Sequence, residues 1–474
     1  RSRGLGDVYK RQVEEIITTF ISMKKVLVIT YYWPPSGGAG VQRWLKFVKY
    51  LPEFGWEPVV YTPENPESPA DDHSLFKDIR PGTTVVKKKI FEPYRMYKRF
   101  LGMKPEERIN AGFLTEQEKP GIKEKIAVWI RGNCFIPDAR TSWIKPSVRF
   151  LKKYLTSNPV HAVITTGPPH SMHLIGLGLK RSLQLPWIAD FRDPWTDIDF
   201  YEQLRLTRRA DRKHRRLEKA VLNEADAVVV VGPSMSEKFT GHMEKLPYVI
   251  PNGYDPDDFN RLKPDDKADE SGEKTEGPPN IQTFRDKFRF IHLGAMNRDR
   301  NHEIFWRALS ELNQEDGKFK ADLSIVLIGK LDISVRESIR NHDLEEKVIR
   351  EPYIPHDRVA NYLRSASLLY LPVNNTPNAK SIQTGKLFEY LAAGRPILGI
   401  GPDDGDAAEI IRDCQSGQMV NFTDLQRLKQ VISDWYRQWS NHSLTIDSVN
   451  IEKYSRRTLT GQMAELLNKL TEKS

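Results

Sequence analysis

One plan occurs twice along this chain and limits what it can fold into. An apolar run, Lys24–Tyr32 (K-K-V-L-V-I-T-Y-Y), leads into Trp33-Pro-Pro-Ser-Gly-Gly-Ala-Gly40 and then into a helical pattern from about Val41 to Phe54. Far downstream, Phe288-Arg-Phe-Ile-His-Leu-Gly294 leads through a short loop into a second helical pattern over Glu303–Leu312. Runs that are apolar on both faces need cover on both faces, as strands of a parallel sheet have. Strand, tight loop and helix together open a Rossmann-like unit. A chain of 474 residues is too long for one core. The expectation is α/β, with two Rossmann-like domains at 23–259 and 286–445. Between them, 260–285 is rich in Asp, Glu, Lys, Pro and Gly and reads as a flexible insertion.

Further strands are expected at Glu57–Thr62, Thr83–Lys88, Val160–Thr166, Pro186–Asp190, Asp226–Gly232, Leu323–Gly329, Val348–His356 and Ser367–Pro372. In an open α/β sheet ligands bind beyond the carboxyl ends of the strands, so the loops there hold the candidates. The first carries Gly37, Gly38 and Gly40, which let a backbone approach a ligand or simply make a tight turn. Its spacing is not G-x-G-x-x-G, so NAD is not implied. After Val160–Thr166 comes Gly167-Pro-Pro-His170, where a histidine either faces a ligand or fills a turn. Next, Asp190-Phe-Arg-Asp193 offers charges that either position a substrate hydroxyl or lock the loop. Asp190 with Asp193, and Asp197 with Asp199, invite a metal reading. Short acid pairs are common by chance, and no metal is expected.

The densest stretch is Ser381–Gly401, S-I-Q-T-G-K-L-F-E-Y-L-A-A-G-R-P-I-L-G-I-G. Leu387, Phe388, Leu391 and Ala392 recur at helical spacing, Gly394 can end the helix, and a buried strand follows. Thr384 and Gly385 open the helix, and its free amides and positive dipole end suit a phosphate. Lys386 and Glu389 share the opposite face: a cation and a carboxylate on one wall, or an exposed ion pair. The run T-G-K-L-F-E-Y-L-A-A-G-R-P-I-L resembles the nucleotide-sugar helix of the retaining GT-B glycosyltransferases of family 4, also called group 1. Tyr248-Val-Ile-Pro-Asn-Gly-Tyr-Asp255 is similar to the segment that closes their first domain.

The resemblance implies two domains facing across a cleft, with a sugar acceptor on the first and a nucleotide-sugar on the second. It implies that Glu389 holds the donor ribose. Its usual Glu partner, eight residues back, is Ser381 here, which leaves the donor sugar open. By the same resemblance Arg300, with Arg298 as alternate, neutralises the donor diphosphate beside Lys386, Gly385 and Thr384. Tyr353 and Ile354 form the base-contacting turn, the glycine loop lies under acceptor and diphosphate, and His170 and Asp193 face the reaction centre. It also implies that 446–474 crosses back onto the first domain. The expected partners are a UDP- or GDP-sugar and a saccharide or lipid-linked acceptor, with no cofactor.

Formal net charge is +9, with fourteen Lys/Arg against six Asp/Glu between Tyr94 and Lys153 and eight against two between Leu204 and Lys219. Such patches suit anionic partners or are solvated helix faces. Tyr94–Leu101 and Ile126–Arg131 mix aromatics with cations, as segments in a bilayer interface do and as ordinary packed helices also do. Cys134 and Cys414 form no metal or redox motif, and a cytoplasmic setting, peripheral at the inner membrane face, is expected. Residues 1–22 begin R-S-R-G-L-G-D-V-Y-K-R-Q, like a translated adapter, and the natural start is expected at Met23. Against the glycosyltransferase stand a nucleotide-sugar 2-epimerase, identified by an isomerised sugar, and a basic binding or assembly protein. Nucleic-acid binding is not expected, and steep salt dependence would reveal it.

Overall fold

The computed structural model describes residues 23–68, 70–91, 122–198, 201–260 and 287–472. The leader, the Tyr94–Leu101 segment, Asp199 and nearly all of the 260–285 insertion lie outside them. The first domain holds strands β1 (Lys24–Ile29), β2 (Trp56–Pro63), β3 (Thr84–Lys88), β4 (Ala162–Gly167), β5 (Trp187–Phe191), β6 (Ala227–Val230) and β7 (Tyr248–Val249). They form one parallel sheet in the order β3-β2-β1-β4-β5-β6-β7. The second holds β8 (Phe288–Leu293), β9 (Leu323–Ile328), β10 (Val348–Glu351), β11 (Leu368–Pro372), β12 (Ile397–Ile400) and β13 (Gly417–Val420). Their order is β10-β9-β8-β11-β12-β13, again parallel. Two Rossmann-like α/β domains are therefore present, as the repeated strand–loop–helix plan implied.

Each strand order reverses once, between β1 and β4 and between β8 and β11. Such switch points leave a crevice at the strands' carboxyl ends. The glycine loop leaves β1 and the His170 loop leaves β4; the Arg300 turn follows β8. Strand β10 ends at Glu351 rather than His356, because Pro352 cannot donate to the ladder and Pro355 starts the helix His356–Arg364.

The chain passes between domains earlier than residue 259. Ile250 belongs to the first core, but Tyr254 and Phe259 pack into the second with Leu387 and Phe388. The return crossing runs beside it: the Tyr254 amide donates to the Tyr454 carbonyl (3.1 Å) and the Arg456 amide to that of Tyr254 (2.7 Å). Gly253 sits where a Cβ would lie 2.4 Å from the Tyr454 oxygen, so the crossings can touch only at a glycine. Helix Arg456–Thr471 then lies on the first domain. Leu459, Met463 and Leu467 join Trp44 and Trp56 in one core, and Lys24 Nζ donates to Thr471 (3.2 Å).

Candidate active site

Helix Gly385–Ala393 sits with its amino end toward the junction of the two domains. Leu387, Phe388, Tyr390 and Leu391 are buried, which fixes its roll and leaves Lys386 and Glu389 half-buried. Tyr390 ties it to the sheet: its hydroxyl accepts from the Leu293 amide (2.9 Å) and donates to the Tyr370 carbonyl (3.3 Å). Gly394 ends it in the left-handed region (φ 63°). At the amino end the amides of Gly385 and Lys386 precede the first intrahelical bond, a Cβ on Gly385 would meet open space, and the buried Thr384 Oγ1 has no hydrogen-bond partner among the described residues.

Three basic groups converge on that end. Lys386 Nζ lies 3.4 Å from His292 Nε2, whose ring donates from Nδ1 to the Tyr370 carbonyl (3.1 Å). The β8 chain turns away at Gly294 (φ 103°), where a Cβ would come within 3.3 Å of the Lys386 ammonium. Arg300, in the turn Arg298–Arg300, is held by Asn374 Oδ1 (2.7 Å) and the Ala295 carbonyl (2.9 Å). Burial, with Arg300 adding, pushes the Lys386 ammonium well below its ordinary pKa, and burial likewise keeps His292 neutral. Cations gathered at a helix amino end are arranged for an incoming anion. Arg298 is exposed.

Glu389, one turn on, faces His356, which opens the helix His356–Arg364. Its Oε1 lies 3.9 Å from His356 Nδ1, and burial, with Asp258 adding, raises its carboxyl above the ordinary value. Tyr353 crosses the junction: its hydroxyl donates to Asp72 (3.1 Å), the Gly38 amide faces the same oxygen, and a Cβ on Gly37 would lie 2.7 Å from it. Ile354 is buried in the second core, so only its backbone can face a ligand. On the other side of the helix end, Ser234 donates to Asp406 (2.5 Å), which also accepts from Gln383 (3.3 Å). Ser381 donates to the Asn378 carbonyl (2.9 Å) and lines a cleft of about 330 Å³ with Ser234 and Lys238 of the first domain and Pro402 and Phe422 of the second.

Across the junction His170 stacks on Trp195 (centroids 5.0 Å apart, planes 2° apart), and its Nδ1 has no hydrogen-bond partner among the described residues. Burial, with His173 adding, holds it neutral. His173 lies inside the helix Ser171–Leu183, its Nδ1 against Thr165 Oγ1 at 2.9 Å. Arg192 serves the loops: it donates to the carbonyls of Gly40 (2.8 Å), Gly167 (3.3 Å) and Pro168, joining the glycine loop to the His170 loop. Asp193 is exposed beside it. Asp190 is buried against Arg43 (2.8 Å), Trp44 (2.7 Å) and Thr166 (2.9 Å), away from any metal role.

The sequence reading missed the groups that join the domains. Lys46 lies within 2.9 Å of Asp78, Asp255 and Asp258, three carboxylates close enough together to suggest a metal cluster but already gathered round an ammonium. Asp72 accepts from Ser74, Tyr353 and the His356 amide; these hold it below the usual carboxylate range although burial alone would raise it. Arg456 is pushed down to about 9 by burial, with Arg43 adding. None had a sequence signal, because each partner lies far off along the chain.

Residues 37–258 match the model of the family described as Glycosyltransferase Family 4, and residues 287–438 that described as Glycosyl transferases group 1. No curated protein matches the sequence significantly. Among solved structures, sucrose-phosphate synthase from Thermosynechococcus elongatus has a TM-score of 0.59 at 14% identity, covering 95% of this chain and 100% of that one. Anabaena Alr3699/HepE in complex with UDP-glucose gives 0.57 at 13%, covering 94% and 100%. A protein from Listeria monocytogenes assigned as a UDP-N-acetylglucosamine 2-epimerase gives 0.53 at 12%, covering 95% and 98%. At these identities the likeness speaks for the fold alone. The two family matches say more, for one falls on each domain and between them they take in most of the chain: this protein belongs to the group 1, family 4-like glycosyltransferases of the GT-B fold.

Proposed function

We propose that the enzyme moves a sugar from a UDP- or GDP-sugar to a saccharide or lipid-linked acceptor, with retention at the anomeric carbon, in the synthesis of cell-surface polysaccharide or glycolipid. The observation that carries this reading is the convergence of Lys386, Arg300 and the open Gly385 amide on one helix end, with Glu389 a turn further on. A diphosphate seated there meets cations whose hold tightens as charge develops on the departing group. Those groups supply the electrophilic help, and the reading includes no metal. Glu389 accepts the ribose hydroxyls, and Tyr353 with the Ile354 backbone borders the base. The sugar extends toward Ser381, and His170, with Asp193 nearby, attends the acceptor hydroxyl. The leaving diphosphate takes the acceptor proton, so no carboxylate nucleophile is required.

A seat at the cytoplasmic membrane face is part of the proposal. Ile126, Trp129 and Ile130 are exposed on the helix Ile122–Asn133, and Asn133 of that helix accepts from the Thr207 amide (2.7 Å). Thr207 caps the helix Arg208–Glu224, whose Arg208, Arg209, Arg212, Lys213 and Arg216 are all exposed. Apolar side chains beside a cationic helix suit an anionic bilayer surface.

Thermal stabilisation by UDP- and GDP-sugars identifies the donor, since a ligand at a hundred times its Kd adds about 2.7 kcal/mol. Glu389→Ala is expected to weaken UDP or GDP binding roughly 10- to 100-fold, the loss of a charged hydrogen-bond acceptor, with folding intact. Unchanged affinity would overturn the assignment. A product of unchanged mass with an isomerised sugar would point to the epimerase instead.

A further inference from the structure

His356 stands between the proposed ribose-holding carboxylate and the first domain. It is the first residue of the helix His356–Arg364, and its amide donates to Asp72 (2.9 Å). Its Nε2 donates to Asp258 Oδ2 (3.0 Å), and its other nitrogen faces Glu389 at 3.9 Å, an ion-pair distance. Asp258 is held in turn by Lys46 (2.8 Å), on the helix Ala39–Tyr50. A line of alternating charge thus runs from Glu389 through His356 and Asp258 to Lys46.

We infer that His356 is a positioning residue, which sets Glu389 for the ribose diol by presenting a charged imidazole anchored on Asp258. The inference rests on the reading of Glu389 given above. With Nε2–H committed to Asp258, Nδ1 either turns a lone pair toward the Glu389 carboxylate or carries a proton to it. Only the second is attractive, so the arrangement favours the imidazolium. The groups facing the ring are Asp258 from the helix Pro256–Asn260, Glu389 from the donor helix and Lys46 from the first domain, with Asp72 on the backbone amide; two carboxylates outweigh one cation. Burial opposes the charge, yet Asp258 and then Glu389 lift the His356 pKa above its ordinary value. In return the imidazolium, with Arg456 and Lys386 adding, opposes the burial and the Asp258 charge that raise the Glu389 carboxyl. A carboxylate held in place by that ion pair accepts from both ribose hydroxyls. The ion pair aims the Glu389 carboxylate at the diol only while the imidazolium is present, so ribose recognition fades as pH rises through the raised pKa.

The test uses the full chain, with UDP and GDP and their 2′-deoxy counterparts titrated by calorimetry from mildly acidic to mildly alkaline pH. In the wild type the ribonucleotide is expected to bind about tenfold more tightly than the deoxy form at the acid end, with that preference shrinking as pH rises. His356→Gln keeps a donor for Asp258 without the charge. Its preference is expected to be small and flat across pH, with the donor KM rising more than kcat falls. A wild-type preference that does not move with pH overturns the inference without any variant, and so does a His356→Gln preference matching the wild type. Glu389→Ala separates the two readings: if it keeps the ribose preference, the assignment of Glu389 fails. If it loses the preference while His356→Gln keeps it, only the role of His356 fails.

Discussion

Lys386→Met removes the cation that the donor diphosphate is proposed to meet. In the free protein that ammonium has His292 as its hydrogen-bond partner and Arg300 as its neighbour, so burial and a like charge both work against it. A unit charge about 4 Å from a phosphate charge gains about 4 kcal/mol at an effective dielectric of about 20. Desolvation takes part of that back, leaving roughly 1.5–3 kcal/mol, the usual value of a hydrogen bond to a charged group. The variant should therefore bind UDP or GDP roughly 10- to 150-fold more weakly. The sign of the pH effect follows from the depressed pKa. The bound anion favours the charged lysine, so wild-type binding takes up a proton, and affinity falls as pH rises through the free-state pKa. The unliganded fold behaves oppositely. Its lysine pKa lies below the unfolded value of 10.5, so this group makes the fold more stable as pH climbs between the two. Calorimetry in buffers of different ionisation heat reads the proton uptake directly, and the methionine variant should lose the lysine's share of it. A loss of affinity under about twofold, or an unchanged proton uptake, would refute the reasoning.

Two further changes test the frame around the site. Lys46→Met leaves Asp78, Asp255 and Asp258 crowded together with Lys49 as the remaining nearby ammonium; it should destabilise the protein by about 3–5 kcal/mol in urea unfolding, and a loss under about 1 kcal/mol would contradict the view that Lys46 holds this junction. His302 donates to the Val373 carbonyl (2.8 Å), and burial pushes its pKa down to about 4. The unfolded chain therefore binds a proton that the fold refuses as pH drops from about 6.5, costing up to about 1.4 kcal/mol per pH unit until the folded value is reached. His302→Gln keeps the donor and should flatten that slope; identical slopes in urea unfolding would overturn the account.

The primary structure carried most of the fold and the helix of the candidate donor site because both are written in local pattern. Apolar runs such as Lys24–Tyr32 and Phe288–Leu293 can only be covered strands, and the residues of Gly385–Ala393 carry their own start, buried stripe and glycine stop. Lys386 and Glu389 sit three apart on that helix, so their shared face followed from helical geometry alone. The strand proposed for Val348–His356 ran too far because apolar content was weighed above Pro352 and Pro355. What only the packed chain decided is the junction: Asp72 beside Tyr353 and His356, Lys46 among three carboxylates, Asp190 turned inward to Arg43, and Arg192 fastened to the carbonyls of Gly40 and Gly167. These partners come from separate loops and helices, and their pairing depends on how two sheets are set against each other. Hydrophobic periodicity fixes which face of each element is buried, but it holds no information on which charge from one lobe will meet which charge from the other.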